Sequence, residues 1–136
     1  PVHYRHIERG GPRIVAICGR LGVPAACREL ALLALGECER VHRVSEVRAG
    51  PVAAMLARLG AFDAPERFAA LMQVCACDYR AHGEGFGPVY PKAELLQAAL
   101  RACRKLADDA DDLELARAQA IATAFRSQRW SDAGHV

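Results

Sequence analysis

Residues 65–96, PERFAALMQVCACDYRAHGEGFGPVYPKAELL, constrain the fold more than any other stretch: two helical periodicities flank a run that no helix can cross. In the first, Phe68, Leu71, Met72, Cys75 and Tyr79 recur at spacings of three and four and share a face, with Arg67, Gln73 and Arg80 off it. Asp63 with Glu66 three residues on has the spacing of a reciprocal cap. His82-Gly83 ends this helix, and GEGFGP has too much glycine and proline to continue it. Pro91 suits the first turn of the next helix, whose apolar line is Leu95, Ala99, Ala102, Cys103 and Leu106. The stretch is a helical hairpin with arginines on its flank and Tyr90 at the entry to its second helix.

The rest of the chain repeats the helical signal. Apolar lines predict helices from Pro12 to Leu21 (Ile14, Ile17, Cys18 and Leu21, stopped by Gly22), from Pro24 to Cys38, from Arg40 to Val47 and from Pro51 to Leu59. A last one follows the acidic knot Asp108, Asp109, Asp111, Asp112 and Glu114, capped by Asp111 or Asp112, with Leu113, Ala116, Ala120, Ile121, Ala124 and Phe125 inward. The tail 127–136 has no period and is expected to fray. The expected fold is all-α, a compact bundle of about seven short helices without a strand.

Composition narrows the chemistry. No apolar run reaches the roughly 18 residues of a membrane span, and the opening PVHYRHIERGG holds no apolar signal-peptide core. Six cysteines are scattered, and only Cys75 and Cys77 are close, on different sides of a helix. They read as reduced core thiols of a cytoplasmic protein. The net charge of +2 hides an uneven distribution, with nine arginines against five glutamates up to residue 60. Arginine forks suit phosphate, and Arg28, Arg40, Arg43, Arg67 and Arg80 fall beside the apolar lines. They can instead pair with Glu29, Glu39, Glu46, Glu66 and Asp78, and Tyr90 can stack on a base or simply pack.

Catalytic constellations are scarce. His3 and His6 point the same way if helical, and imidazole is a common transition-metal ligand, but two ligands are too few for a site. Asp109 and Asp111 have a paired-carboxylate spacing, yet they lie between Ala-rich helices with no strand or Gly-Ser turn. GEGFGP lacks the Lys-Ser/Thr ending of a phosphate-binding loop.

Several short motifs carry a resemblance. Val23-Pro24 with Cys27-Arg28-Glu29-Leu30-Ala31, Val41-His42-Arg43, Ala61-Phe62 with Pro65-Glu66-Arg67-Phe68, Cys75 to Arg80, and Tyr90-Pro91 with Ala93 stand in one order. Together with HYRHIERGG they resemble the C-terminal part of the multifunctional CCA-adding tRNA nucleotidyltransferases of proteobacteria, from His3 to near Phe125. The resemblance implies that residues 1–22 close an HD-type phosphohydrolase domain, that 23–126 form a helical body contacting tRNA, and that the His-Asp metal ligands lie upstream. His3 and His6 would then be half of a metal site, with Ile7 where many relatives carry an acid. The full enzyme is expected to add C, C and A to tRNA 3′ ends from CTP and ATP with Mg2+. Its HD part, with a possible transition metal, is expected to hydrolyse phosphoesters including 2′,3′-cyclic ones. The fragment is expected to be inactive alone and to need no cofactor, holding tRNA through Arg28, Arg40, Arg43, Arg67, Arg80 and Tyr90. A second possibility is a helical protein-interaction module with no RNA role.

Overall fold

A computed structural model describes residues 5–44, 47–82, 89–106 and 111–125. Among them are six α-helices and no strand: α1 (His6–Leu21), α2 (Ala25–His42), α3 (Ala49–Arg58), α4 (Pro65–Ala81), α5 (Pro91–Cys103) and α6 (Leu113–Phe125). The all-α expectation holds, with six helices in place of seven. The segment expected from Arg40 has no breaker before it, so α2 runs on to His42 and absorbs its start.

The breaks follow backbone chemistry. Gly22 (φ 64°) and Gly60 (φ 73°) adopt the left-handed conformation that ends α1 and α3. After α3, Gly60 N–H donates to the Ala57 carbonyl at 3.1 Å and Ala61 N–H to the Leu56 carbonyl at 3.0 Å, closing the last turn with two bonds. Pro51 lies in the first turn of α3, where its missing N–H would have had no partner anyway. Pro65 and Pro91 open α4 and α5 in the same way. The cap expected from Asp63 is not used: α4 starts after Ala64, with no side-chain cap. Fixed φ at Pro65 sets the start, and the preceding residue is held out of the helix. Asp112 does cap α6, accepting from Leu115 N–H at 3.0 Å.

The first helix departs most from expectation. It begins at His6 and carries Pro12 inside it, where proline removes the bond that the Glu8 carbonyl would accept. Packing on α2 overrides that local preference for a break. A Cβ on Gly10 would stand 2.9 Å from Leu35 Cδ2, so a side chain there would have to push the Leu35 tip aside. Of the line Ile14, Ile17, Cys18 and Leu21, only Cys18 is buried, while Ile17 is 45% and Leu21 68% exposed. The reason is position: α1 lies at the margin, with α2 as its main neighbour.

The core gathers around α3. Val52, Leu56, Leu59, Leu96 and Ile121 are fully buried there, joining α3 to α5 and α6, and the fully buried Leu71 of α4 belongs to the same cluster. A second joint links α2 to α4, which run parallel, Cys38 facing Cys75 and His42 facing Asp78.

Candidate nucleic-acid interface

The C-terminal ends of α2 and α4 and the start of α5 meet at His42. Its Nε2–H donates to Asp78 Oδ2 at 2.8 Å, which leaves Nδ1 to accept from the Tyr90 hydroxyl. The His42, Tyr79 and Tyr90 rings pack together, His42 at 5.6 Å from each tyrosine and the tyrosines 5.2 Å apart between centroids. Burial pushes the Tyr90 hydroxyl well above its ordinary range, so it stays protonated and donates. From the next turn, His82 Nδ1–H donates to the Asp78 carbonyl at 2.8 Å. Both nitrogens of His42 are thus engaged in holding three elements together.

A few residues away, sulfur does similar work. Cys38 Sγ and Cys75 Sγ are 3.1 Å apart, and Cys75 is fully buried. Either thiol can donate to the other; that contact and burial raise the Cys75 thiol far above the usual range, and the same contact lowers Cys38. Cys103, raised by burial, lies 3.8 Å from the Arg117 carbonyl. Cys27 and Cys77 are exposed, so not every thiol is a core residue.

Charge at this end is partly compensated. Buried Glu37 accepts from Arg58 Nε at 2.9 Å and Arg58 Nη2 at 3.2 Å through its two oxygens, and from Arg40 Nη1 at 3.2 Å. Arg43 pairs with Glu39 at 3.4 Å but keeps 68% of its side chain exposed. Arg80 is exposed in the last turn of α4. Arg40, Arg43 and Arg80 therefore share one end, where they also offset the negative ends of two helix dipoles. Exposed pairs of this kind are weak and are readily exchanged for a phosphate.

The other predicted residues are not there. Arg28 lies half-buried in the first turn of α2, and Arg67 in the first turn of α4 reaches back over Gly60. Each is roughly 20 Å along its helix from that end. Tyr90 takes the packing option: at 5% exposure with its hydroxyl on His42, it has no ring face left for a base. His6 is exposed at the start of α1. His3, Asp108, Asp109, the glycine-rich stretch 83–88 and the tail 127–136 lie outside the described residues. Among the described residues no group of three or more His, Cys, Asp or Glu is placed to hold a metal ion, so they do not fit a Mg2+ or transition-metal centre. No helix there is long and apolar enough to cross a membrane.

Sequence reasoning missed the meeting of His42 and His82 at Asp78, because they come from helices 40 residues apart. The i, i+4 spacing of Asp78 and His82 was a partial signal.

Fold and surface together define an all-α bundle with an arginine-rimmed end and, among the described residues, no catalytic constellation. The chain is similar to proteins called "Multifunctional CCA protein" from proteobacteria. That of Burkholderia cenocepacia is 38% identical over 106 residues, 78% of this chain and 26% of its own length. The one from Nitrosococcus oceani is 33% identical over 129 residues, 95% of this chain and 32% of its own. For Xanthomonas euvesicatoria the identity is 39% over 97 residues, 71% of this chain. The family resemblance read from the sequence is thereby shown, and the chain spans about a quarter to a third of the length of these relatives. No family model matches the chain, and no solved structure does.

Proposed function

We propose that the chain is the helical, tRNA-holding part of a multifunctional CCA protein. In this reading the whole enzyme adds C, C and A to tRNA 3′ ends from CTP and ATP with Mg2+, and an HD domain hydrolyses phosphoesters. This part supplies no catalytic group. The single observation that carries the reading is the similarity over 78% of the chain to proteins of that name. The rim of Arg40, Arg43 and Arg80 agrees with it, since arginine contacts to phosphate grip RNA by shape without reading bases. Residues 1–22 belong to the preceding domain in this reading, which accords with the exposed Ile7, Ile17 and Leu21 on α1.

The test is tRNA binding by the chain at about 50 and about 200 mM salt, beside the double variant Arg43→Ala/Arg80→Ala. Wild-type affinity should fall steeply with salt, and the variant should lower the log–log slope by about one to two. Absence of tRNA binding at the lower salt would remove the RNA role. Salt-insensitive capture of a protein would favour the interaction-module reading instead.

A further inference from the structure

The strongest charged surface left over is the outer face of α1. Residues 5–22 hold four arginines, Arg5, Arg9, Arg13 and Arg20, against one glutamate, Glu8. Arg9, Arg13, Ala16 and Arg20 follow at steps of four, three and four, which places them in one row along the helix. At about 100° per residue, that row lies roughly a third of the way round from Gly10, Ile14 and Cys18, the side turned to α2.

Two features separate this row from Arg40, Arg43 and Arg58. Arg9, Arg13 and Arg20 are all exposed, and none has an ion pair among the described residues, whereas Arg40, Arg43 and Arg58 do. Glu8, the one acid on the helix, lies 3.6 Å from Arg5. Arg9 also sits in the first turn of α1, where the positive end of the helix dipole disfavours a cation. Mutual repulsion along the row and that unfavourable position are both relieved by a line of phosphates.

We infer that Arg9, Arg13 and Arg20 form a second RNA-binding surface, gripping the phosphates of one strand along roughly 16 Å of α1. The identity of the RNA as tRNA rests on the function proposed above. Arginine's fork matches phosphate bidentately, and a straight row follows a backbone rather than enclosing a single anion. A lipid surface fits less well. Ile7, Ile17 and Leu21 are exposed, but the middle of the apolar side that would enter the lipid is turned to α2, with Cys18 buried and Gly10 against Leu35.

The test compares four forms of the chain: wild type, Arg9→Ala/Arg13→Ala/Arg20→Ala, the same three changed to Lys, and Arg43→Ala/Arg80→Ala. Each is titrated with tRNA across salt and with vesicles of phosphatidylserine and phosphatidylcholine. Circular dichroism should show the helices unchanged in every variant, since all the altered side chains of α1 are exposed. The triple alanine form should bind tRNA at least about tenfold more weakly at low salt, with a salt slope lowered by two to three, while the lysine form keeps the slope. Wild-type tRNA affinity in the triple alanine form, with loss only in Arg43→Ala/Arg80→Ala, would overturn this inference and leave the proposed function standing. Wild type that binds no tRNA would overturn both. Vesicle binding in place of tRNA binding, lost in the triple alanine form, would reassign the row to a membrane surface.

Discussion

Helices α1 and α3 make an instructive pair. Over 16 residues, α1 has its apolar side chains mostly on one face, and it buries only Cys18. Over 10 residues, α3 buries Val52, Ala53, Met55 and Leu56. The shorter helix has neighbours on several sides, α5 and α6 among them, while the longer one has mainly α2. An apolar face states what a helix is able to bury; the elements across from it decide how much it does bury. The same contrast runs through the charges. Glu37, under the rim of α2, takes two arginines, whereas the row on α1 is left to solvent.

The comparison breaks most readily at Leu56. Leu56→Ala removes a fully buried side chain from the centre of the core and should lower unfolding free energy by about 2–5 kcal/mol, read by urea denaturation. An effect below about 1 kcal/mol would mean that the α3 core is not packed as described. The joint at His42 comes next. Tyr90→Phe loses one buried hydrogen bond and should cost about 1 kcal/mol at neutral pH. It should also change the alkaline limb. Because burial raises the Tyr90 hydroxyl, its stabilising contribution is complete below the ordinary value of 10.0 and is lost as pH rises through the higher folded-state value. Cys103, raised above 9.0 by burial, acts in the same direction from a lower onset. The urea midpoint of wild type should therefore fall above about pH 9, and that of Tyr90→Phe should fall less steeply above pH 10. Equal alkaline slopes would show that Tyr90 titrates no differently when folded. The smallest effect belongs to α1: Ile17→Ala, at a side chain already 45% exposed, should change stability by no more than about 0.5 kcal/mol. A loss near that of Leu56→Ala would mean that α1 is covered in the isolated chain.

Much of the architecture was legible because the punctuation is chemical. Gly22, Gly60, Pro65 and Pro91 mark breaks that backbone geometry enforces, and Phe68, Leu71, Met72 and Cys75 face the core as their spacing predicts. The errors arose where local signals competed with packing. Pro12 reads as a helix start, yet α2 holds α1 together through it; reading the helix from Pro12 also cut Arg9 from the row that Arg13 and Arg20 continue. The segment after Cys38 reads as a new helix only because its apolar line shifts, not because anything ends α2. At the candidate interface, Arg43 and Arg80 were legible as exposed cations, but Tyr90 was not legible as buried. Nothing in its immediate sequence shows that His42 and Tyr79 close over it.

The sequence by itself determined the helical class, the breaks between most helices and the family resemblance. These are local properties of backbone freedom, side-chain period and short ordered motifs. Only the tertiary structure decided which arginines are neutralised, that His42 and His82 meet at Asp78, that Cys38 faces Cys75, and that α1 keeps its arginine row in solvent. Those facts depend on pairs far apart in the chain, fixed by how the helices pack, and periodicity within one helix carries no information about what stands across from it.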